Sequence, residues 1–425
     1  MRTSTLAICA LIAVSALLAA CGGGSSLIGS SSGITPGSRA PAALMGERTH
    51  PNVTYSVIHN FGGGSADGSE PFASGLLDLH GTLYGTTLYG GANYSCNCGT
   101  VFAIGRFGAE TVLHSFGGVG DGINPAGDLI NVNGTLYGTT ASGGGVGYGS
   151  YGGGGTFFSI SPSGAETVLH AFGGAGDGAE PEGHLARFKG TFYGATYAGG
   201  SYSYGSQGRG GTVFSISAAG GETVLHSFGG AGDGALPNDG LIKVRLQGHP
   251  MEKLYGTTVL GGAYQRGTVF VISPSGAETV LYSFAGGYDG KDPWAGLVNV
   301  NGALYGTTTG AGAYGGGTVF VVSPSGTESV LHSFGGSGDG ATPRATLINV
   351  NGTLYGTTYN GGANNDGTVF SISTSGAETV LHSFGGAPAD GAQPDAVLLN
   401  RNGTLYGTTR YGGAYNGGSV FSLTP

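Results

Sequence analysis

A unit of about 50 residues, copied from residue 54 to the carboxyl end, restricts this chain to architectures built from one repeated module. One copy, residues 351–386, reads NGTLYGTTYNGGANNDGTVFSISTSGAETVLHSFGG. Four short motifs alternate through it. An apolar run such as Leu347-Ile348-Asn349-Val350 leads into Asn351-Gly352, then Leu354-Tyr355-Gly356-Thr357-Thr358, Gly367-Thr368-Val369-Phe370 and Glu378-Thr379-Val380-Leu381-His382-Ser383-Phe384. The second motif's tyrosine recurs at Tyr84, Tyr137, Tyr193, Tyr255, Tyr305, Tyr355 and Tyr406, in steps of 50 to 62 residues. Each run is rich in β-branched or aromatic residues, of strand length and bounded by turn formers, and none holds a helical period.

Asn-Gly between two such runs, as at Asn133-Gly134, Asn301-Gly302, Asn351-Gly352 and Asn402-Gly403, signals a two-residue hairpin. Four strands per unit and seven units predict an all-β fold: a seven-bladed β-propeller with four antiparallel strands per blade. The ends support a closed ring. The repeats open on Tyr55-Ser56-Val57-Ile58-His59-Asn60-Phe61, a fourth motif, and close on Gly418-Ser419-Val420-Phe421, a third motif. An N-terminal strand that completes the last blade leaves no strand missing, whereas a linear solenoid would want distinct caps.

The order of these motifs resembles kelch-type propeller blades. GTLYGTTYNGGANNDGTVFSI is closer to the GloVer tandem repeat of bacterial surface proteins, a resemblance that covers residues 54–425. That family is defined by its repeat and its varied anchoring. It implies the architecture and assigns no activity.

The 93 glycines and 16 prolines make up about a quarter of the chain and fall at fixed places between strands, as turn chemistry. Net charge is -9, with Lys and Arg scarce and scattered. Nucleic-acid binding needs a basic stripe to displace counterions, and the chain offers none. Ahead of the repeats, Arg2 and an apolar run over residues 6–20 form an export signal too short to span a bilayer comfortably. Leu18-Ala19-Ala20-Cys21 resembles a bacterial lipobox, which implies a signal peptide over 1–20 and lipid on Cys21. Residues 21–53 then read as a lipid-anchored flexible tether, and 54–425 as the propeller. The expected location is the bacterial envelope, at the outer membrane or cell surface, with the membrane as one partner and a monomeric propeller.

Positions that recur in every copy are most economically structural; departures from the template are the better functional leads. His59, His114, His170, His226, His332 and His382 share one slot, with Tyr282 in the remaining blade. Zinc takes three or four converging ligands, and one histidine per blade is dispersed, so neither a metal nor a cofactor is expected. Asp67, Asp121, Asp177, Asp233, Asp289, Asp339 and Asp390 head Asp-Gly turns, where the carboxylate bonds its own backbone.

After each turn's proline the residues differ from blade to blade. Asp128, Glu182, His184, Asp239, Trp294, Arg344 and Asp395 stand there, at the mouth of the innermost strands, and form the candidate ligand site; ordinary rim solvation is the competing reading. Loops on the same face hold Tyr89, Tyr94, Tyr148, Tyr151, Tyr202 and Tyr204 among Gly and Ser, the composition of adaptable recognition loops or of tolerated expansion. Cys96 and Cys98 read as a disulfide or a free pair. No nucleophile elbow, zinc helix motif or phosphate loop is present, so no catalytic residue is assigned. The expected function is a binding or scaffolding module for a glycan or an envelope protein. The alternatives are a carbohydrate-active enzyme using channel-mouth carboxylates and a purely structural envelope component.

Overall fold

The computed structural model describes residues 53–72, 75–93, 96–145, 153–202, 204, 210–245 and 252–425. The expected signal peptide, Cys21 and the tether up to residue 52 lie outside them, as do Tyr94, Tyr148 and Tyr151.

Seven antiparallel sheets follow one another as blades. In blade 1 the strands are Leu77–Leu79, Thr82–Thr87, Thr100–Ile104 and Glu110–Ser115, paired in that order from the innermost outward. Blade 7 takes Leu399–Arg401, Thr404–Thr409 and Ser419–Thr424 from the carboxyl end, and its outer strand is Thr54–Asn60 from the amino end. Tyr55 lies opposite Leu423 and Asn60 opposite Ser419. The ring is closed as the cut in the repeat predicted.

The hairpin signal has the backbone it requires. Asn133, Asn301, Asn351 and Asn402 have φ of 52° to 53° and their glycines 89° to 93°, the primed-turn geometry that matches strand twist. His80 and Lys189 adopt positive φ in the same slot.

The third strands are the most buried: Thr100–Ile104 and Thr268–Ile272 are buried at every residue, because neighbouring blades cover both faces. The phenylalanine of each fourth motif packs on that of the next blade's third motif: Phe116 lies 5.1 Å from Phe158 and Phe228 4.9 Å from Phe270, between ring centroids. The glycine of Leu-Tyr-Gly-Thr-Thr makes room for this ring, since a Cβ on Gly138 would stand 2.7 Å from Phe158 Cζ. The motif's last threonine is buried and shares a hydrogen bond with the first residue of the third strand, as in Thr87 with Thr100 at 2.8 Å.

Every fourth strand carries a β-bulge. In blade 1, Val101 pairs with His114 and Phe102 with Val112, which leaves Leu113 unpaired. Glu110 and His114 would share a face of a regular strand; one extra residue turns them to opposite sides. One strand thereby serves both neighbouring blades.

Candidate functional site

The first strands of the blades surround a central cavity of about 550 Å³. Asp128, Glu182, His184, Asp239, Trp294, Arg344 and Asp395 all line it. Their convergence follows from one slot in the repeat, the residue just after the turn's proline, filled by Phe72, Ala126, Glu182, Asn238, Trp294, Arg344 and Asp395 in successive blades. Asp239 lies one residue further along, and Asp128 and His184 two. Phe72, Asn238, Lys243 and Thr346 also face the cavity and were not singled out above. The first two occupy the same slot, so the signal for them was present.

Three of these groups form a network with a structural explanation. Asp239 accepts a hydrogen bond from His184 Nδ1 at 2.8 Å, from the Gly240 and Gly296 amides at 2.6 Å each, and from the Thr346 hydroxyl. It thus ties the inner ends of four consecutive blades together. Asp128 accepts from the Gly75 amide of the blade before it. Burial opposes charge on His184, but the Asp239 carboxylate and then Asp128 win, and its pKa is pushed up to about 9. Burial raises Asp128 to about 6 against the pull of His184. Asp239 is held well below the usual carboxylate range by His184, despite its burial. At neutral pH the floor is an imidazolium between two acids.

Aromatic and cationic side chains form the lip. Arg344 Cζ lies 3.8 Å from the centre of the Tyr359 ring and 5.7 Å from that of Trp294. Arg410 covers Phe72 at 4.7 Å and bonds Glu70 at 3.1 Å. Asn238 donates to the Trp294 carbonyl at 3.3 Å, and its own Oδ1 is buried without a partner.

The aspartate turns and the Gly-Gly loops share one face, as shown by short ribbons that pair them, such as Gly68 with Gly90 and Gly234 with Gly261. Tyr204 bonds Gln265 of the next blade's loop and packs in one apolar cluster with Trp294. Tyr202 is exposed, and so are Tyr264, Tyr314 and Tyr415, which occupy the same place in shorter loops. Aromatic exposure on this face therefore extends beyond the long loops of the first three blades. Cys96 and Cys98 form a disulfide.

A family model described as the Gloeobacter/Verrucomicrobia repeat matches residues 47–249 and again 243–425. The chain belongs to this repeat family. No curated protein matches it by sequence. Among solved structures, virginiamycin B lyase from Staphylococcus aureus superposes with a TM-score of 0.53 at 12% identity, over 88% of this chain and 99% of the lyase. Puromycin hydrolase gives a TM-score of 0.47 at 11% identity, over 81% of this chain and 50% of the hydrolase. At such identity the likeness concerns the fold alone.

In this Gloeobacter/Verrucomicrobia repeat protein the two recurring rings, read above as separate, are partners. His114 Nε2 lies 3.1 Å from Asp121, His170 3.2 Å from Asp177, His226 2.9 Å from Asp233, His332 3.0 Å from Asp339 and His382 3.0 Å from Asp390. His59 and Asp67 are looser, at 3.9 Å. A third group, unremarked in the sequence, joins each pair from the next blade's fourth strand: Glu110, Glu166, Glu222, Glu278 or Glu378, with atoms of all three groups within 4.8 Å. Each of these glutamates, and Glu328 at the Tyr282–Asp289 pair, has a buried Oε1 without a hydrogen-bond partner.

Three ligand atoms so close fit a metal in principle. The chain's own exceptions favour a proton instead. Tyr282 replaces histidine and donates to Asp289 at 2.9 Å; Tyr55 replaces glutamate, donates to Asp390 at 2.5 Å and stacks on His382 at 3.8 Å. A phenol is a hydrogen-bond donor and a poor stand-in for a carboxylate ligand. Burial, and then the aspartate alongside, push all six glutamates up to about 7. A glutamic acid that keeps its proton avoids two half-buried carboxylates side by side.

Proposed function

We propose that the protein is an envelope-anchored lipoprotein propeller that acts as a binding module, taking a glycan in the central cavity on its loop face. The observation that carries this reading is the cavity itself: residues that break the repeat line one concave space of about 550 Å³, with an aromatic lip and an amide oxygen, Asn238 Oδ1, that lacks a donor. Concave sites with a few convergent polar groups are where ligands bind, and sugar hydroxyls supply the donors. The test is a glycan array probed with the full chain in detergent, beside Trp294→Ala. Loss of about 10-fold or more in affinity is expected for the variant, and undiminished binding overturns the reading.

A second reading, a carbohydrate-active enzyme, draws on Asp128, whose burial puts its proton release near neutral pH, beside the charged His184. Array ligands recovered intact after incubation favour binding; new reducing ends favour hydrolysis.

The anchor rests on Leu18-Ala19-Ala20-Cys21. More than one acyl chain on Cys21 would hold the protein stably on the membrane. Cys21→Ala should move it from the membrane pellet to the soluble fraction, and an unchanged distribution would refute the anchor.

A further inference from the structure

Asp128, His184, Asp239, Lys243 and Asp395 face the cavity beside opposite charges; among the described residues Arg344 does not. His184 lies on Asp239 and in the field of Asp128. Lys243 reaches Glu252 at 3.6 Å. Asp395 lies in the field of Arg410, and Glu182 has an interaction of its own. Arg344 has two aromatic faces, Tyr359 and Trp294, and among the described residues no carboxylate pairs with its guanidinium. Arg401 and Arg410, by contrast, lie 3.4 Å from Asp78 and 3.1 Å from Glu70. Stacking fixes a guanidinium through its flat faces and leaves its edge, with up to five N–H donors, for an acceptor.

We propose that Arg344 reads an anionic group and that the cavity takes a saccharide bearing a carboxylate, a uronate, with its hydroxyls toward Asn238 and its ring beside Trp294. This rests on the reading of the cavity as a glycan site. A carboxylate matches the guanidinium fork with two parallel hydrogen bonds, whereas a neutral hydroxyl uses one donor. A sulfate ester carries the same single charge on tetrahedral oxygens, and the experiment separates it from carboxylate. Position supports the assignment as well: Arg344 follows its turn's proline, in the slot that puts Trp294 and Asn238 on the cavity wall.

The test is calorimetric titration of the full chain, in detergent, with an oligogalacturonate, its methyl ester and a sulfated oligosaccharide of equal length. The methyl ester removes the charge and little else. The wild-type protein should bind the free acid about 10-fold more tightly than the ester, the discrimination expected of a hydrogen-bonded charge. Arg344→Gln should equalise the two, and Arg344→Lys should keep part of the preference, with unchanged thermal midpoints. Equal wild-type affinity for acid and ester, a preference that survives Arg344→Gln, or tighter binding of the sulfated ligand overturns the inference. If Trp294→Ala still weakens every ligand in those cases, the glycan site stands and only the anion assignment falls. If no ligand binds in a Trp294-dependent way, the proposed function fails with it.

Discussion

Removal of residues 54–60 should abolish the stable ring. This strand forms the outer edge of blade 7 and pairs along Ser419–Thr424, so its loss exposes a bare strand edge. Val420, Phe421 and Leu423 are fully buried in the intact protein, and Tyr55 and Ile58 help to cover them. Each large apolar side chain laid open costs about 1.5–3 kcal/mol. Two or three of them approach the roughly 5–15 kcal/mol that holds a domain folded. Tyr55 is lost as well, leaving Asp390 without its 2.5 Å donor. The expected result is aggregated or protease-sensitive protein.

A permutant distinguishes closure from a general need for the segment. Residues 55–60 are moved behind Leu423 through a Ser-Pro-Ser-Gly-Ala link, the turn that joins Ile160 to Glu166 at residues 161–165 as Leu423 would be joined to Tyr55. That turn is self-sufficient: the Gly164 amide bonds Ser161 O at 2.9 Å, and the Ala165 amide bonds Ser161 Oγ at 3.2 Å. The permutant should regain a cooperative thermal transition. A stable truncated chain, or a permutant that stays unfolded, would contradict closure by strand exchange.

The ring was legible because the motifs and their cut ends can be counted along the chain. The slot after each proline was legible too, because a position that varies among fixed neighbours is conspicuous. What escaped was partnership across the ring. His114 and Glu110 stand four residues apart in one strand, and period-two reading puts them on one face, though they meet different neighbours. The bulge at Leu113 that separates them leaves no mark in composition. Histidines and aspartates therefore read as two rings, and nothing in the chain order marks Glu166 as completing His114–Asp121. The network of Asp239 with His184, Gly296 and Thr346 was likewise hidden, since its members come from four blades and half of its bonds are to backbone amides.

Alkaline pH should loosen the propeller through the glutamate of each blade junction. Their pKa rises from an ordinary 4.5 to about 7 on folding. A group raised in this way contributes stability that is fully present below pH 4.5 and is lost as pH climbs through 7. His59 and His332, whose burial is outweighed by Asp67 and Asp339, are also raised and act in the same direction. Asp67 and Asp390 are lowered despite burial, chiefly by His59 and His382, so their contribution is lost only in acid, below about pH 4. A fully dry glutamate with this rise would be worth about 3 kcal/mol. These side chains are partly solvated, and screening leaves on the order of 1 kcal/mol each. Summed over the six glutamates, the loss between pH 5.5 and 8.5 is on the order of 5 kcal/mol, a midpoint lower by about 5–10 °C. Replacing all six by Gln, which cannot ionise, should shrink the fall across this range to the part carried by the raised His59, His332 and His184, and one change such as Glu222→Gln should remove about a sixth of the glutamate share. Chelator should leave the wild-type midpoint unmoved. A midpoint that does not fall between pH 5.5 and 8.5, or that falls equally in the sixfold variant, would show that these carboxyls do not hold their protons; a chelator-sensitive midpoint would return the junctions to metal.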